Sequence, residues 1–209
     1  IYGLTTNKLV DEKSQIKPLN PYGVTKFVVE TFLNDIYKSN PPNWSIANLR
    51  YFNPVGAHES GLIGENPKIN PTNLFPVIIK KISSSEKIPV YGDGQNIRDW
   101  LFVQDHCEAI SLISEKGKLG ETYNIGGKNE LRNIEVVQKI CGLLDEIKPK
   151  KSGKSYSDQI TFIEDRLGHD YRYGLNISKI ENEIGWKPKE NFDSGLRKTI
   201  DWYLTKKNF

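Results

Sequence analysis

The chain has 209 residues, 37% hydrophobic and 26% charged, which is an ordinary composition for a soluble globular protein. Its net charge is +3, and lysines alternate with acids instead of forming the basic stripe that nucleic-acid binding requires. No apolar run approaches the length of a membrane span, and no signal-peptide pattern opens the sequence. Cys107 and Cys141 lie in apolar helical patterns, so we expect buried free thiols in a reducing cytoplasm.

The first half of the chain alternates predicted helices and strands around a long Gly-, Pro- and Asn-rich stretch. A stretch of that length without periodicity usually has a functional role in a compact domain. The first helix has an apolar face made of Phe27, Val28, Phe32, Leu33 and Ile36. The predicted elements are a polar loop over 4–20, a helix from Tyr22 to Lys38, a strand from Trp44 to Phe52, the irregular stretch from Asn53 to Pro71, a helix from Asn73 to Ser84, and a strand from Ile88 to Tyr91.

The second half continues the alternation, and several predicted helices carry capping signals. Asn133 can cap one helix, Ser178 and Glu181 form a capping box that opens a helix ended by Gly185, and Asp193 can cap the last helix. Alternating strands and helices predict an α/β fold. The predicted elements are a turn at 92–94, a helix from Phe102 to Lys116, a strand from Thr122 to Ile125, a helix from Asn133 to Ile147, an exposed loop at 148–157, a strand from Ile160 to Glu164, a helix from Ser178, and a helix from Asp193 to Tyr203.

Tyr22 and Lys26 are the sharpest local signal for catalysis. Their spacing places both side chains on one helix face, one turn apart. Tyrosine is a poor base at neutral pH, but a neighbouring ammonium stabilises its phenolate form, so such a pair can take a proton from a sugar hydroxyl. The same spacing also occurs by chance, and the alternative is the start of an amphipathic helix with an exposed lysine.

Two family resemblances cover the chain. The run from Leu49 to Glu65, together with Pro21-Tyr22-Gly23-x-Thr25-Lys26 and Asn73-Leu74-x-Pro76, closely resembles UDP-galactose (UDP-glucose) 4-epimerases over residues 1–85. Residues 86–209 resemble dTDP-glucose 4,6-dehydratases. The runs that carry this second resemblance are Tyr91–Leu101, Tyr123–Gly127, Glu164–Asp170 and Gly185–Pro188.

Both families are extended short-chain dehydrogenases/reductases of the NAD-dependent epimerase/dehydratase type. The resemblance implies NAD as cofactor, a dTDP- or UDP-hexose as substrate, and a first step that oxidises the sugar at C4. Tyr22 would deprotonate the C4 hydroxyl, and Lys26 would hold Tyr22 and the nicotinamide ribose. Phe52 would lie near the nicotinamide, although core packing explains it equally well.

The resemblance also implies a set of substrate-binding residues. Arg98 and Arg166 would bind the diphosphate, because guanidinium groups match phosphate oxygens in bidentate geometry; salt bridges are the alternative. Asn53 and Asn124 would hydrogen bond the phosphates or the sugar, with turn capping as the alternative. His58 and His106 are expected to be structural, and no cluster has metal-ligand spacing, so no metal is predicted. The implied set is Asn53, Asn73, Leu74, Pro89, Val90, Tyr91, Arg98, Trp100, Asn124, Asp165, Arg166, His169 and Asp170.

The resemblance implies the C-terminal part of a doubly wound Rossmann-fold enzyme with a smaller α/β substrate domain. Residues 1–52 would complete the NAD-binding domain, and residues 53–209 would mainly form the substrate domain, with some segments returning to the first. The chain has no methionine, opens on Ile1-Tyr2-Gly3 and lacks the glycine fingerprint, so we expect it to be part of a longer protein.

Two reactions remain open from the sequence. The longer resemblance favours dTDP-glucose 4,6-dehydration, whereas the stretch that carries Tyr22 and Lys26 favours UDP-glucose 4-epimerisation. The residues that distinguish them are expected to precede Ile1. A third possibility is an inactive fragment that only binds a nucleotide sugar. The resemblance further implies a homodimer in which the helix from Tyr22 to Lys38 packs against its counterpart.

Overall fold

The computed structural model describes residues 1–3, 9–40, 43–65, 71–172 and 174–205. Helices and strands alternate, which confirms the predicted α/β class. In chain order the elements are α1 (Pro21–Ser39), β1 (Asn48–Tyr51), β2 (Asn53–Val55), α2 (Leu74–Ser83), β3 (Ile88–Tyr91), β4 (Ile97–Phe102), α3 (Val103–Lys116), β5 (Thr122–Ile125), β6 (Glu130–Arg132), α4 (Asn133–Ile147), a 3-10 turn (Tyr156–Gln159), β7 (Ile160–Ile163), α5 (Ser178–Ile184) and α6 (Phe192–Thr205).

The strands of the described residues form three small sheets. β1 pairs with β5 in parallel, and β3 pairs with β7 in parallel. In the third sheet β4 lies between β2, to which it is parallel, and β6, to which it is antiparallel. The parallel pairs join strands that are far apart in sequence, because such pairing needs a long crossover connection.

Three short strands were not predicted. β2 lies inside the stretch from Asn53 to Pro71 that the sequence predicts to be irregular, and β4 and β6 have no predicted counterpart. β1 is also shorter than the predicted strand from Trp44 to Phe52. The predicted bounds of β3 and β5 are confirmed.

At two helices the hydrogen bonds of the first turn are not the ones that the sequence predicts. Asn133 is the first residue of α4, and the carboxylate of Glu135 accepts a hydrogen bond from the Arg132 backbone N–H at 2.8 Å. At α5 the predicted capping box is absent: the Ser178 backbone N–H donates to the Asn176 side chain at 2.9 Å. In both cases a neighbouring residue supplies the acceptor that the helix terminus requires.

The last helix is capped by Asn191 and not by Asp193. The Asn191 side chain accepts a hydrogen bond from the Ser194 backbone N–H at 2.9 Å, whereas Asp193 pairs with Lys139 at 2.7 Å. Gly185 ends α5 as predicted, with a left-handed φ of 77°.

Two hydrophobic clusters hold the described residues together. The larger lies between α2, α4 and α6 and includes Ile78, Ile140 and Ile200. The smaller joins Tyr2 to β5 and α5, so segments late in the chain return to the core of the N-terminal segment. The predicted domain boundary at residue 52 and the predicted return of late segments to the NAD-binding domain stay predictions.

The side chains of α1 are mostly exposed. Phe27, Val28 and Phe32, which belong to its predicted apolar face, are 37%, 58% and 63% exposed. The buried residues of the helix are Gly23 and Glu30. These three apolar side chains therefore lie away from the described core, whereas the charged Glu30 is buried in it.

The two cysteines differ in their surroundings. Cys141 is buried, as predicted, but Cys107 is exposed, so the prediction of a buried thiol is wrong there. No helix of the described residues is long and apolar enough to cross a membrane.

Candidate active site

A cavity of about 1240 Å³ lies where α1, the end of β2, the start of α2, β3 and β4 approach the loop at 165–169. Its volume exceeds that of most single-ligand pockets, so it has room for more than one small molecule. The cavity brings together most of the predicted site residues. Those that line it are Tyr22, Phe52, Asn53, Asn73, Leu74, Pro89, Val90, Tyr91, Arg98, Trp100, Arg166 and His169.

Tyr22 stands at the first turn of α1, on the cavity. The Asn20 side chain caps the helix by accepting a hydrogen bond from the Gly23 backbone N–H at 2.9 Å, and Pro21 occupies the first helical position. The Tyr22 side chain is 72% exposed. The Lys26 ammonium lies 5.0 Å from the centre of the Tyr22 ring, although Lys26 itself does not line the cavity.

A buried polar network fixes the opposite side of α1. Arg50 on β1 forms an ion pair with Glu30, with a 2.9 Å hydrogen bond from Nε and a second, shorter one from Nη2. Arg50 Nη1 also donates to the Tyr2 hydroxyl at 2.7 Å, and that hydroxyl donates to Asn124 at 2.7 Å. Burial raises the pKa of Tyr2.

The predicted role of Asn124 as a substrate contact does not fit its position. Asn124 is fully buried on β5, and besides accepting the Tyr2 hydrogen bond it donates to the Val10 and Asn176 carbonyls at 3.1 and 3.3 Å. Its side chain joins three segments of the core and does not line the cavity.

Two guanidinium groups face the cavity from different elements. Arg98 on β4 is 7% exposed and donates hydrogen bonds to the Ile97 and Asp170 carbonyls, both at 2.8 Å. Arg166 stacks on the Tyr91 ring with its guanidinium carbon 4.0 Å from the ring centre. These contacts hold two positively charged side chains on the wall of the same cavity.

Asp165 and Asp170 hold the loop that carries Arg166. His169 Nδ1 lies 2.6 Å from the Asp165 carboxylate, and this hydrogen bond lowers the pKa of Asp165. The Asp170 carboxylate accepts a hydrogen bond from the Asn20 side chain at 3.4 Å. Neither aspartate lines the cavity, in contrast to His169.

Two polar side chains of the cavity wall already donate hydrogen bonds to neighbouring groups. Asn53 donates to the Asp99 carbonyl at 3.2 Å, and Asn73 donates to the Glu65 carboxylate at 2.6 Å. Trp100 is 5% exposed, and its indole nitrogen has no hydrogen-bond partner among the described residues.

Asp99 lies between the two cavity residues Arg98 and Trp100 but faces the opposite side of β4. Its carboxylate accepts hydrogen bonds from the backbone N–H groups of Gly127 and Asn129 at 3.0 and 2.8 Å. Burial raises the pKa of Asp99 to about 6. Asp99 therefore ties the turn after β5 to the strand that carries Arg98.

Sequence reasoning missed several residues of the cavity, among them Glu65, Gln104 and Cys107. His58, expected to be structural, also lines it, and its Nδ1 lies 2.8 Å from the Ser60 hydroxyl. His106 is buried against Tyr51, and burial lowers its pKa. Within the described residues no group of three or more His, Cys, Asp or Glu could hold a metal ion.

Comparisons with known proteins give the family. Residues 1–199 match the GDP-mannose 4,6 dehydratase family. The chain belongs to this family. It is therefore an extended short-chain dehydrogenase/reductase, and its α/β elements are part of a Rossmann-type fold, as predicted.

Individual relatives agree with this assignment. Over 204 residues the chain is 51% identical to dTDP-glucose 4,6-dehydratase of Neisseria gonorrhoeae, a match that covers 97% of the chain and 56% of the relative. Similarity to a dehydratase is therefore not confined to residues 86–209.

Solved structures of both enzyme types are similar to the chain. dTDP-glucose 4,6-dehydratase from Bacillus anthracis in complex with NAD has a TM-score of 0.82 at 33% identity, over 100% of the chain and 60% of that protein. UDP-glucose 4-epimerase from Bifidobacterium longum with NAD⁺ and UDP has a TM-score of 0.83 at 30% identity, over 99% and 62%. The chain thus spans only part of the length of each relative.

Proposed function

We propose that the protein that carries this chain is an NAD-dependent dTDP-glucose 4,6-dehydratase. The observation that carries the proposal is that Tyr22, Arg98 and Arg166 all line one cavity. An acid–base group and two phosphate-binding cations in one space match a nucleotide-diphosphate sugar. The 51% identity to a dehydratase over 97% of the chain supports the choice of reaction.

The residues present fit the nicotinamide end of NAD. Tyr22 is exposed on the cavity with the Lys26 ammonium beside its ring, and the aromatic side chain of Phe52 lines the same wall. Lys26 would hold the nicotinamide ribose, and Phe52 would pack near the nicotinamide. When bound, NAD would supply the oxidant for the sugar C4, and the hydride that it takes up would later return to the sugar.

Tyr22 would be the base for the C4 hydroxyl. Its exposure allows the phenol oxygen to reach a sugar hydroxyl in the cavity, and the Lys26 ammonium lies 5.0 Å from the centre of its ring. Tyr22 Oη would then accept the hydroxyl proton as C4 is oxidised. The buried Glu30–Arg50 ion pair, one turn beyond Lys26, keeps the helix in place during this transfer.

Arg98 and Arg166 would bind the diphosphate. Arg98 is held by backbone carbonyls and Arg166 by the Tyr91 ring, so both are oriented before a ligand arrives. Pre-oriented guanidinium groups lose little rotational freedom when they bind phosphate, which favours affinity. Tyr91 and the backbone of Pro89 and Val90 would lie along the nucleobase.

UDP-glucose 4-epimerisation is the second candidate. It is supported by the epimerase-like run from Leu49 to Glu65 and by the TM-score of 0.83 to an epimerase. Both reactions use Tyr22 and Lys26 in the same way, so the outcome depends on whether water is expelled across C5 and C6 of the 4-keto sugar.

The sugar nucleotide that the protein forms distinguishes the 4,6-dehydratase from the 4-epimerase. The protein is incubated with NAD and either dTDP-glucose or UDP-glucose, and the sugar nucleotides are analysed by mass spectrometry and by NMR, which reports the configuration at C4. A product lighter by one water from dTDP-glucose supports the proposal. An unchanged mass with inverted C4 configuration supports the epimerase, and no conversion of either sugar contradicts both.

Variants of α1 test the assigned roles. Tyr22→Phe should lower kcat by about 10²- to 10⁴-fold, the usual contribution of a positioned acid–base group. Lys26→Met should also lower kcat, because it removes the ammonium that would hold the nicotinamide ribose beside Tyr22. The matched controls are Tyr37→Phe and Lys38→Met on the same helix, which should retain activity.

We also propose a homodimer through α1. Phe27, Val28 and Phe32 expose apolar surface along one helix, and a second copy of the helix would cover it. Analytical ultracentrifugation of the protein should give a dimer that Phe32→Lys converts to a monomer. A monomeric unmutated protein would contradict this assembly.

A further inference from the structure

Residues 57–64 form a small hairpin on one side of the cavity. Ala57 and Gly64 form an antiparallel bridge, and the His58 backbone N–H donates to the Ile63 carbonyl at 2.8 Å. The Gly61 backbone N–H donates to the His58 carbonyl at 2.9 Å. The hairpin is exposed at its tip, where Leu62 is 80% exposed. Its own hydrogen bonds define its shape but not its position on the protein.

Trp202 on α6 supplies contacts that fix this position. Its indole N–H donates to the Gly61 carbonyl at 2.9 Å. The ring also lies against Gly64, where an added methyl group would be 2.4 Å from a ring carbon and 2.8 Å from the Ala57 side chain. Only glycine allows so close an approach of backbone and ring. Trp202 thus contacts both the tip and the base of the hairpin.

The hairpin connects directly to the cavity. Ala57, His58, Ile63 and Gly64 line it, whereas Trp202 does not. The next residue, Glu65, accepts the 2.6 Å hydrogen bond from Asn73, which also lines the cavity and precedes α2. A shift of the hairpin would therefore move Glu65 and release the Asn73 side chain.

We propose that Trp202 is a positioning residue that holds the 57–64 hairpin as one wall of the cavity and thereby sets the affinity for the nucleoside diphosphate. The role in affinity rests on the proposed function, whereas the anchoring of the hairpin does not. Trp202 acts through Gly61, Gly64 and Glu65 and touches no ligand itself.

The test compares Trp202→Phe, Trp202→Ala and the control Trp44→Phe in the protein that carries this chain. Trp202→Phe removes the N–H and keeps most of the ring, and Trp44 is an exposed tryptophan outside the cavity lining. Hydrogen exchange followed by mass spectrometry reports on the hairpin, and calorimetric titration with dTDP reports on affinity.

Trp202→Phe should speed exchange of the hairpin amides and weaken dTDP binding, each about fivefold, because one neutral hydrogen bond contributes about that factor. Trp202→Ala should have a larger effect on both. The hydrogen-exchange rates of the α4 amides should stay unchanged in both variants. Unchanged rates there would show that the fold is intact. Trp44→Phe should behave like the unmutated protein.

Two results would overturn the inference. Unchanged hairpin exchange in Trp202→Ala would mean that Trp202 does not hold the hairpin. Faster exchange with unchanged dTDP affinity would mean that the hairpin does not set affinity. If the unmutated protein binds neither dTDP nor UDP, the proposed function fails, and the exchange data still decide the anchoring by Trp202.

Discussion

Replacing Glu30 by glutamine should destabilise the protein, because it leaves the guanidinium of Arg50 buried without a counter-charge. The side chains of Arg50 and Glu30 are only 7% and 11% exposed. Removing one partner of a buried pair typically costs about 3–5 kcal/mol. Arg50 keeps hydrogen bonds to the Tyr2 hydroxyl and the Glu12 carbonyl at 2.7 and 3.2 Å, so we expect a loss of about 3 kcal/mol.

Urea unfolding followed by circular dichroism measures this loss. In a domain of this size about 3 kcal/mol corresponds to a fall in Tm of roughly 6–12 °C. The matched control is Glu146→Gln, which breaks the exposed Arg197–Glu146 pair, whose side chains are 51% and 64% exposed. Solvent screens an exposed pair of this kind, so the control should change little.

A double variant distinguishes two causes of the destabilisation: the lost attraction between Glu30 and Arg50, and the buried Arg50 charge that is left without a partner. Glu30→Leu combined with Arg50→Met removes both charges, and it should be more stable than Glu30→Gln because no buried ion remains. The reasoning is refuted if Glu30→Gln is no less stable than Glu146→Gln. It is also refuted if the double variant is less stable than Glu30→Gln.

Three further predictions follow from burial and close packing. Gly64→Ala should lose about 1–3 kcal/mol of stability from overpacking, whereas Gly142→Ala, with open space around the added methyl group, should gain about 0.5–1 kcal/mol in the same urea titration. Burial raises the pKa of Asp99 to about 6, above about 3.9 in the unfolded chain, so its stabilisation is present below about pH 4 and lost as the pH rises through about 6. The unfolding free energy of the unmutated protein, minus that of Asp99→Asn, should therefore fall as the pH rises between these two pKa values. A difference that does not change with pH would contradict the raised pKa of Asp99. A thiol reagent should label exposed Cys107 in the folded protein but not Cys141, whose pKa burial raises to about 11; equal labelling before unfolding would contradict the structure.

Helices and isolated apolar strands could be predicted from the sequence because their signals are local. The periodicity from Tyr22 to Lys38 and the run from Ile88 to Tyr91 each fix an element with little help from the rest of the fold. β2 and β6 have only three residues each, and β4 lies between them because it pairs with these distant strands. Such strands depend on tertiary contacts that a local pattern does not contain.

Most of the candidate site could be predicted through family motifs, and its supporting contacts could not. The motifs name Tyr22, Arg98 and Arg166, which the structure brings to one cavity. A family motif also names Asn124, but its side-chain amide forms hydrogen bonds with three segments of the core. Nothing in the local sequence around Asn124 reveals these bonds. The anchoring by Trp202 joins residues 141 positions apart, so it is visible only in the folded chain.

The most direct test of the proposed C4 oxidation follows the hydrogen on that carbon. The protein that carries this chain is given NAD and dTDP-glucose labelled with deuterium at C4, and the position of the label in the product is found by NMR. The account predicts deuterium at C6, because water leaves across C5 and C6 before the hydrogen returns. Deuterium retained at C4 of an epimerised sugar would favour the epimerase, and a product formed without removal of the C4 hydrogen would contradict the account.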